Sequence, residues 1–298
     1  MNRILHTSCP FCGSNNIQLK LKVRDHKITN EDFEISDCLN CNLRFTSNPP
    51  LETEIGSYYD SPKYISHSNN TSGSINKVYH YVRTYMLQKK LNLIRKISNT
   101  DNILDIGCGT GYFLNVMKEN NFHTLGIEIN ENARKFAQSN FELEVLEPSH
   151  LINHQLLRKF DLATMWHVLE HIYNPITYLQ NISYALNANA KLIIAVPNYT
   201  STDAMHYKEG WAGYDVPRHL WHFDPKTIEN LLDDVGFKLI QIERLPFDAF
   251  YVSMLSESYQ NNKFHFIKGL WQGSISWLTS LVNKKKTSSL IYIFQKKS

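Results

Sequence analysis

From Asp101 onward, short apolar runs alternate with stretches whose apolar residues recur at helical spacing. That is the pattern of a parallel sheet with helices between its strands. The runs predict strands over 103–106, 124–127, 161–165, 192–196, 238–243 and 289–294, with a further short one near 142–146. Helices are predicted over 112–120, 131–139, 175–186 and 225–235, with Gly236 placed to end the last of them. Upstream, Val78, Tyr81, Val82, Tyr85, Met86, Ile94 and Ile97 give a mostly helical rhythm. Residues 1–48 read differently: polar, strand-like stretches at 17–23 and 33–35 lie between two cysteine pairs, and Asn48-Pro49-Pro50 closes the segment. The chain therefore divides into a small module at 1–48, an irregular segment and lead-in helix at 49–100, and an α/β domain at 101–298 with a helical insertion at about 247–287.

The first strand of that domain feeds Asp105-Ile106-Gly107-Cys108-Gly109-Thr110-Gly111, and a helix begins directly after it. Glycines let such a loop turn sharply and let backbone approach a ligand closely. The spacing is G-x-G-x-G, unlike the G-x-G-x-x-G of the dinucleotide fingerprint. The next strand ends at Glu128. In a doubly wound sheet, loop and acid share the carboxyl edge where ligands bind. Glu128 suits two ribose hydroxyls; Asp105 suits the loop or a ligand ammonium. A loop of this kind also occurs merely as a strand-to-helix connection or as a nucleotide site. Cys108 within it reads as a small packed residue.

Composition narrows the classes. The formal net charge of +3 is too small to argue for nucleic acid, and 42% hydrophobic content is ordinary for a globular protein. No apolar run is long enough for a transmembrane helix, and the polar N-terminus lacks a signal-peptide core, so a cytoplasmic location is expected. Cys9-Pro10-Phe11-Cys12 and Cys38-Leu39-Asn40-Cys41 are two C-x₂-C knuckles. Four thiolates so paired match a tetrahedral structural Zn²⁺ site, which leaves no open coordination position for chemistry. Lys20, Lys22, Arg24 and Lys27 give the module a basic strand, but Glu31, Asp32, Glu34 and Asp37 offset it.

Residues 103–111 together with Glu128 resemble the first two motifs of class I S-adenosylmethionine (SAM)-dependent methyltransferases. The run from Phe160 to His171, ending His167-Val168-Leu169-Glu170-His171, resembles their fourth-strand motif in the branch related to ubiquinone-biosynthesis methyltransferases. The resemblance covers roughly residues 55–298. It implies a Rossmann-like, seven-stranded α/β domain behind an N-terminal zinc ribbon. It further implies a cofactor site built from Asp105, Gly107, Gly109, Gly111 and Glu128, with Leu146, Glu147, Met165 and Trp166 flanking adenine and sulfonium. Many relatives carry Gly-Asp where this chain has Leu146-Glu147. The segment from Tyr58 to His67 corresponds to a region that covers the cofactor in relatives.

Three further features bear on the acceptor. His167, just past the fourth strand, is the candidate general base, histidine titrating near neutrality. With Glu170 and His171 it stands at i, i+3 and i+4, so a divalent metal or a purely structural role is also open. The segment from Trp211 to Phe223 resembles the P-R-H-L-x-H-F signature of bacterial relatives. It offers Tyr214, Arg218, His219 and His222 as an acceptor pocket or as a lid on the core. Within the insertion, Phe264, Ile267, Leu270, Trp271, Ile275, Leu278, Leu281 and Val282 share a helical face ahead of Lys284-Lys285-Lys286. Such a stripe is expected to pack over the site or form a dimer contact; an interfacial membrane helix over 264–282 is the other reading. The expected function is methylation of a small-molecule acceptor: a glycan, quinone or lipid-linked precursor. The alternatives are an rRNA methyltransferase that uses the ribbon to grip RNA, and a non-catalytic protein that binds SAM on the same fold.

Overall fold

The apolar runs between 101 and 298 all become strands of one sheet in the computed structural model, which describes residues 2–59, 74–245, 247–260 and 264–297. Residues 60–67 of the tyrosine-rich segment lie outside the described residues, as do the side chains of 74–79, Val78 among them. The sheet comprises β4 (Asn102–Ile106), β5 (His123–Ile127), β6 (Val145–Leu146), β7 (Phe160–Trp166), β8 (Leu186–Pro197), β10 (Phe237–Arg244) and β11 (Ser289–Lys296). Its order is β10-β11-β8-β7-β4-β5-β6. Strands β4 to β8 are mutually parallel, and β11 runs antiparallel to both its neighbours. The order reverses beside β4, which opens a crevice at the carboxyl ends of β4, β5 and β7.

These strands are buried on both faces, because alternate residues point to opposite sides. Ile103, Leu162, Ile193 and Ile291 face one layer, with α1 (Ser74–Ile97), α2 (Tyr112–Glu119) and α3 (Glu131–Phe141). Leu104, Ala163, Ile194 and Tyr292 face the other, with α4 (Pro148–Ile152), α5 (Pro175–Ala185) and α7 (Pro225–Asp234). Three of these helices start where the sequence supplies a side-chain cap. Asn130, Asn174 and Asp224 accept the backbone N–H three residues on, and Pro175 and Pro225 occupy the first helical turn.

The N-terminal module is a second, four-stranded sheet: β1 (Ile17–Arg24), β2 (Asp32–Cys38), β3 (Arg44–Thr46) and, unexpectedly, β9 (Trp221–His222). The fourth strand comes from the histidine-aromatic segment of the α/β domain, with Arg44 opposite His222 and Phe45 opposite Trp221. Cys9, Cys38, Leu43 and Phe45 belong to the same core cluster as the main sheet, so the module at 1–48 is built into the α/β domain.

The insertion is a helical hairpin, α8 (Asp248–Tyr259) and α9 (His265–Val282), preceded by the short α6 (Thr202–Tyr207) elsewhere in the same layer. Its orientation corrects the expectation that its apolar stripe packs over the site. The apolar stripe of α9 faces outward, while Gly269, Gln272, Gly273, Ser276 and Ser280 are buried. Among the described residues, no helix is long and apolar enough to cross a membrane.

Candidate active site

The glycine loop crosses from β4 to α2 with Gly107, Gly109 and Gly111 all at positive φ. A Cβ at Gly111 would meet Ala137 Cβ at 2.8 Å, so this glycine lets α3 close on the loop. A Cβ at Gly109 would meet nothing within 4 Å, so its bare Cα borders open space. The Glu128 carboxylate accepts the Gly109 N–H with one oxygen and the Asn130 N–H with the other, both at 2.8 Å. Loop and acid are thus locked together at the switch point, and the carboxylate keeps lone pairs for further donors. Cys108 is buried and packed under Gly126, and burial pushes its thiol up, as suits a packed residue.

Asp105 lies beneath the loop. Burial raises its carboxyl to about 7, against the hydrogen bond from Thr164 Oγ1 at 2.5 Å and the charge of Lys90. Lys90 was not singled out by the sequence: it is one lysine among several on α1, and only the fold carries it here. Its ammonium lies 4.0 Å from the centre of the Trp166 ring and 5.5 Å from that of Phe113. Burial pulls it down to about 8 against the opposing pull of Asp105 and Asp248. Trp166 therefore lies beside Lys90 at this end of the sheet. Met165, on the alternate face of β7, is wholly buried in the opposite core layer, away from the position expected for it beside the cofactor.

His167 leaves β7 in the left-handed region, φ 57°. Its Nδ1 stands 3.4 Å from Glu170 Oε1 and its Nε2 3.4 Å from Asp248 Oδ2. Burial works to lower the imidazolium, but hydrogen bonds and charges from Asp248 and Glu170 prevail and raise it to about 10. At neutral pH the ring is a cation held between two carboxylates. Asp248, the first residue of α8, also escaped the sequence reading, since nothing local links it to a histidine on another strand. The His167-Glu170-His171 trio does not converge as spaced. The ligand atoms that gather within 4.8 Å are those of Glu170, His171 and His219. Two imidazoles and one carboxylate suit a transition metal better than Mg²⁺.

The expected acceptor residues mostly serve another purpose. Arg218 is only 1% exposed, and its guanidinium reaches Asp25 at 2.8 Å, Asp215 at 2.8 Å and the Tyr58 carbonyl at 3.0 Å. The Tyr214 hydroxyl accepts from Arg44 at 3.0 Å, and His222 Nε2 lies 3.2 Å from Thr46 Oγ1. These three groups bind the N-terminal module to the α/β domain, so the open acceptor grip expected of them is not what they form. His219 alone turns inward, its ring edge-to-face on His171 at 4.6 Å. Burial, with His171 beside it, lowers it to about 4, and burial lowers His222 well below its usual range. Both rings are neutral at physiological pH.

The four thiols of the module come together. Cys9 Sγ lies 3.5 Å from Cys41 Sγ, Cys12 Sγ lies 3.6 Å from Cys38 Sγ, and all four sulfurs fall within 4.8 Å of one another. A tetrahedral site with bonds of about 2.3 Å needs sulfurs about 3.8 Å apart. The two knuckles are alike: Gly13 and Asn42 both adopt positive φ and donate their N–H to Cys9 O and Cys38 O at 2.9 Å. Glycine announced the first turn in the sequence; asparagine, the other residue that tolerates this conformation, made the second less visible.

A Rossmann-like sheet with a glycine loop and an acid locked together at its switch point defines a class I SAM-dependent methyltransferase. Comparison with known proteins agrees. The model of a methyltransferase-domain family matches residues 78–242, more than half of the chain, and the chain belongs to that family. It is similar to the ubiquinone biosynthesis O-methyltransferase of Idiomarina loihiensis, 24% identical over 171 residues, covering 52% of this chain and 69% of that protein. The enzyme of the same name from Maricaulis maris is 31% identical over 153 residues, 46% of this chain and 59% of the relative. Among solved structures, magnesium protoporphyrin IX methyltransferase from Synechocystis PCC 6803 with bound SAH (S-adenosylhomocysteine) shares the fold. Its TM-score is 0.54 at 14% identity, over 83% of this chain and 100% of that one. The chain is a SAM-dependent methyltransferase.

Proposed function

We propose that the enzyme methylates a ring hydroxyl of a quinone-type small molecule, and that His167, in its neutral form, takes the proton this oxygen loses. The observation that carries the reading is the Asp248-His167-Glu170 trio beside the glycine loop. Bound SAM would supply an activated methyl group, held through its ribose at Glu128, its ammonium at Asp105 and its backbone contacts at Gly109. The open space at Gly109 and the free lone pairs of Glu128 fit that ligand. Amine acceptors present a lone pair without help, whereas a phenolic hydroxyl, near 10 in water, is a poor nucleophile until deprotonated. The neutral form of an imidazole raised to about 10 matches such a hydroxyl in basicity, and the fraction in that form grows as pH rises toward 10. The O-methyltransferase names of the relatives support the same acceptor class.

The four thiols are proposed to hold one structural Zn²⁺. An RNA substrate is less well supported, because several of the module's basic residues are paired with acids: Arg3 with Glu31, Lys22 with Glu34, Arg24 with Asp32, and Lys27 with Asp215. The test is incubation with methyl-labelled SAM and matched acceptors: catechol and hydroquinone against aniline and a nucleoside. Label on oxygen of the ring hydroxyls is expected. Label on nitrogen alone, or on the nucleoside, would overturn the reading.

A further inference from the structure

The hairpin α8–α9 is built inside out. A helix of a water-soluble domain hides its apolar stripe and shows its polar one. In α9, at about 100° per residue, Gly269, Gln272, Gly273, Ser276 and Ser280 form the hidden stripe, and the opposite side carries Ile267, Trp271, Leu278 and Val282 in the open. Ile267 is 66% exposed, Trp271 71% and Val282 92%. The hidden stripe is specific. A Cβ at Gly269 would lie 2.4 Å from Met254 Cα and one at Gly273 would lie 2.8 Å from Phe250 Cα, so only glycine lets the two helix backbones come this close. Small residues four apart are how helices pack where their outer faces meet lipid. Polar bonds pin the underside: Ser276 Oγ donates to Asp203 at 2.9 Å, and Arg244 donates to Ser280 Oγ at 3.2 Å. Rotating α9 to bury its apolar side would break both.

Charge identifies the occupant. From Ser258 to the chain's end the sequence has no aspartate or glutamate, while Lys268 stands on α9 and Lys284-Lys285-Lys286 follow it directly. Exposed apolar residues with a tryptophan, flanked by lysines and without acids, are the composition of a helix lying in the headgroup layer of an anionic membrane. The helix is too short and too polar underneath to span one. The root of the hairpin is Asp248, the partner of His167. We infer that α9 docks the enzyme on an anionic bilayer and presents the mouth of its site to an acceptor carried in the lipid. The acceptor's lipid origin rests on the proposed function; the docking does not.

The test is flotation of the full-length, zinc-loaded protein with vesicles of phosphatidylcholine and phosphatidylglycerol at three to one, and with phosphatidylcholine alone. Binding to the mixed vesicles is expected, weakened by salt. Lys284, Lys285 and Lys286 changed together to Gln should weaken it on the order of a hundredfold, at about fivefold per lysine. Ile267→Glu with Trp271→Glu should abolish it. Calorimetry with SAH on the same variants separates this from the chemistry, since their cofactor affinity should equal the parent's. No flotation with mixed vesicles overturns the inference. So does a stable dimer in light scattering that Ile267→Glu and Trp271→Glu dissolve, which would make the face a self-association surface.

Discussion

Replacing Arg218 with methionine decides between two roles for the most conspicuous cation of the 211–223 segment. Its guanidinium is buried between Asp25, itself wholly buried, and Asp215. Removing one member of a buried ion pair costs about 3–5 kcal/mol, mostly through the charge left behind. Here the lower end applies, because the carboxylates keep other donors. Asp25 retains the Thr29 N–H at 2.9 Å, its hydroxyl at 3.0 Å and the Lys27 N–H at 3.1 Å, and Asp215 retains Lys27 Nζ at 2.9 Å. At about 2–4 °C per kcal/mol for a protein approaching this size, Tm should fall by about 6–12 °C. Changing Asp25 to Asn in the same chain removes the orphaned charge and should restore part of the loss, a coupling read from the double-mutant cycle. Differential scanning fluorimetry measures the stability, and SAH calorimetry well below Tm should find the cofactor affinity unchanged. An Arg218→Met protein with parental Tm and an acceptor KM raised tenfold or more would refute the reasoning and return the arginine to the substrate.

Asp105 titrates near 7, so its anion forms as pH rises from 6 to 8, and SAM affinity should strengthen about tenfold across that window. Calorimetry checks this; a flat profile, or Asp105→Ala with parental affinity, would remove the ammonium contact. His167 has a folded-state value raised above its unfolded one, so its stabilisation is fully present below about 6.5 and is lost as pH climbs through about 10. His167→Gln should therefore lower Tm at pH 7.5 and have little effect at pH 10.5. Because the proposed base is the neutral ring, kcat/KM for a ring hydroxyl should rise with pH toward 10, and His167→Gln should flatten the rise. Elemental analysis should find about one zinc per chain, absent in Cys38→Ser together with part of the stability.

The sheet could be read from the sequence because its strands are contiguous apolar runs and several of its helices carry their own caps; such signals are local. The glycine loop and Glu128 were legible for the same reason, their chemistry lying within a few residues of a strand end. Arg218 was not. An arginine among aromatics looks alike whether it awaits a substrate or fills a junction, and its deciding partner, Asp25, is 193 positions away. Asp248 and Lys90 were hidden likewise, since tertiary packing alone sets them beside His167 and Asp105. In α9 the stripe was legible but not its direction, because periodicity shows that one face differs from the other without showing which is inside. The decisive residues were the glycines and serines of the opposite face, which a search for apolar positions passes over.

The N-terminal module is tied to the turn beside His167 through the strand it borrows. β9 completes its sheet, and the residues around β9 hold the turn that carries Glu170 and His171. The Leu220 N–H donates to Glu170 O at 2.8 Å, Trp221 Nε1 donates to Ile172 O at 2.6 Å, and His171 Nδ1 lies 2.9 Å from Arg218 O. Phe11, inside the first knuckle, packs on Trp221 with ring centres 5.0 Å apart. A continuous path of packed groups thus runs from the thiol cluster to the carboxylate that flanks His167. Glu170 is fully buried, and burial opposes its charge, but His167 beside it prevails and holds the carboxyl below the usual carboxylate range. If the thiol cluster came apart, this turn would lose its outer support, while the glycine loop would keep the Glu128 bonds that lock it. Loss of metal should then reduce methyl transfer more than cofactor binding. Equal losses in both would mean that the module acts only through global stability.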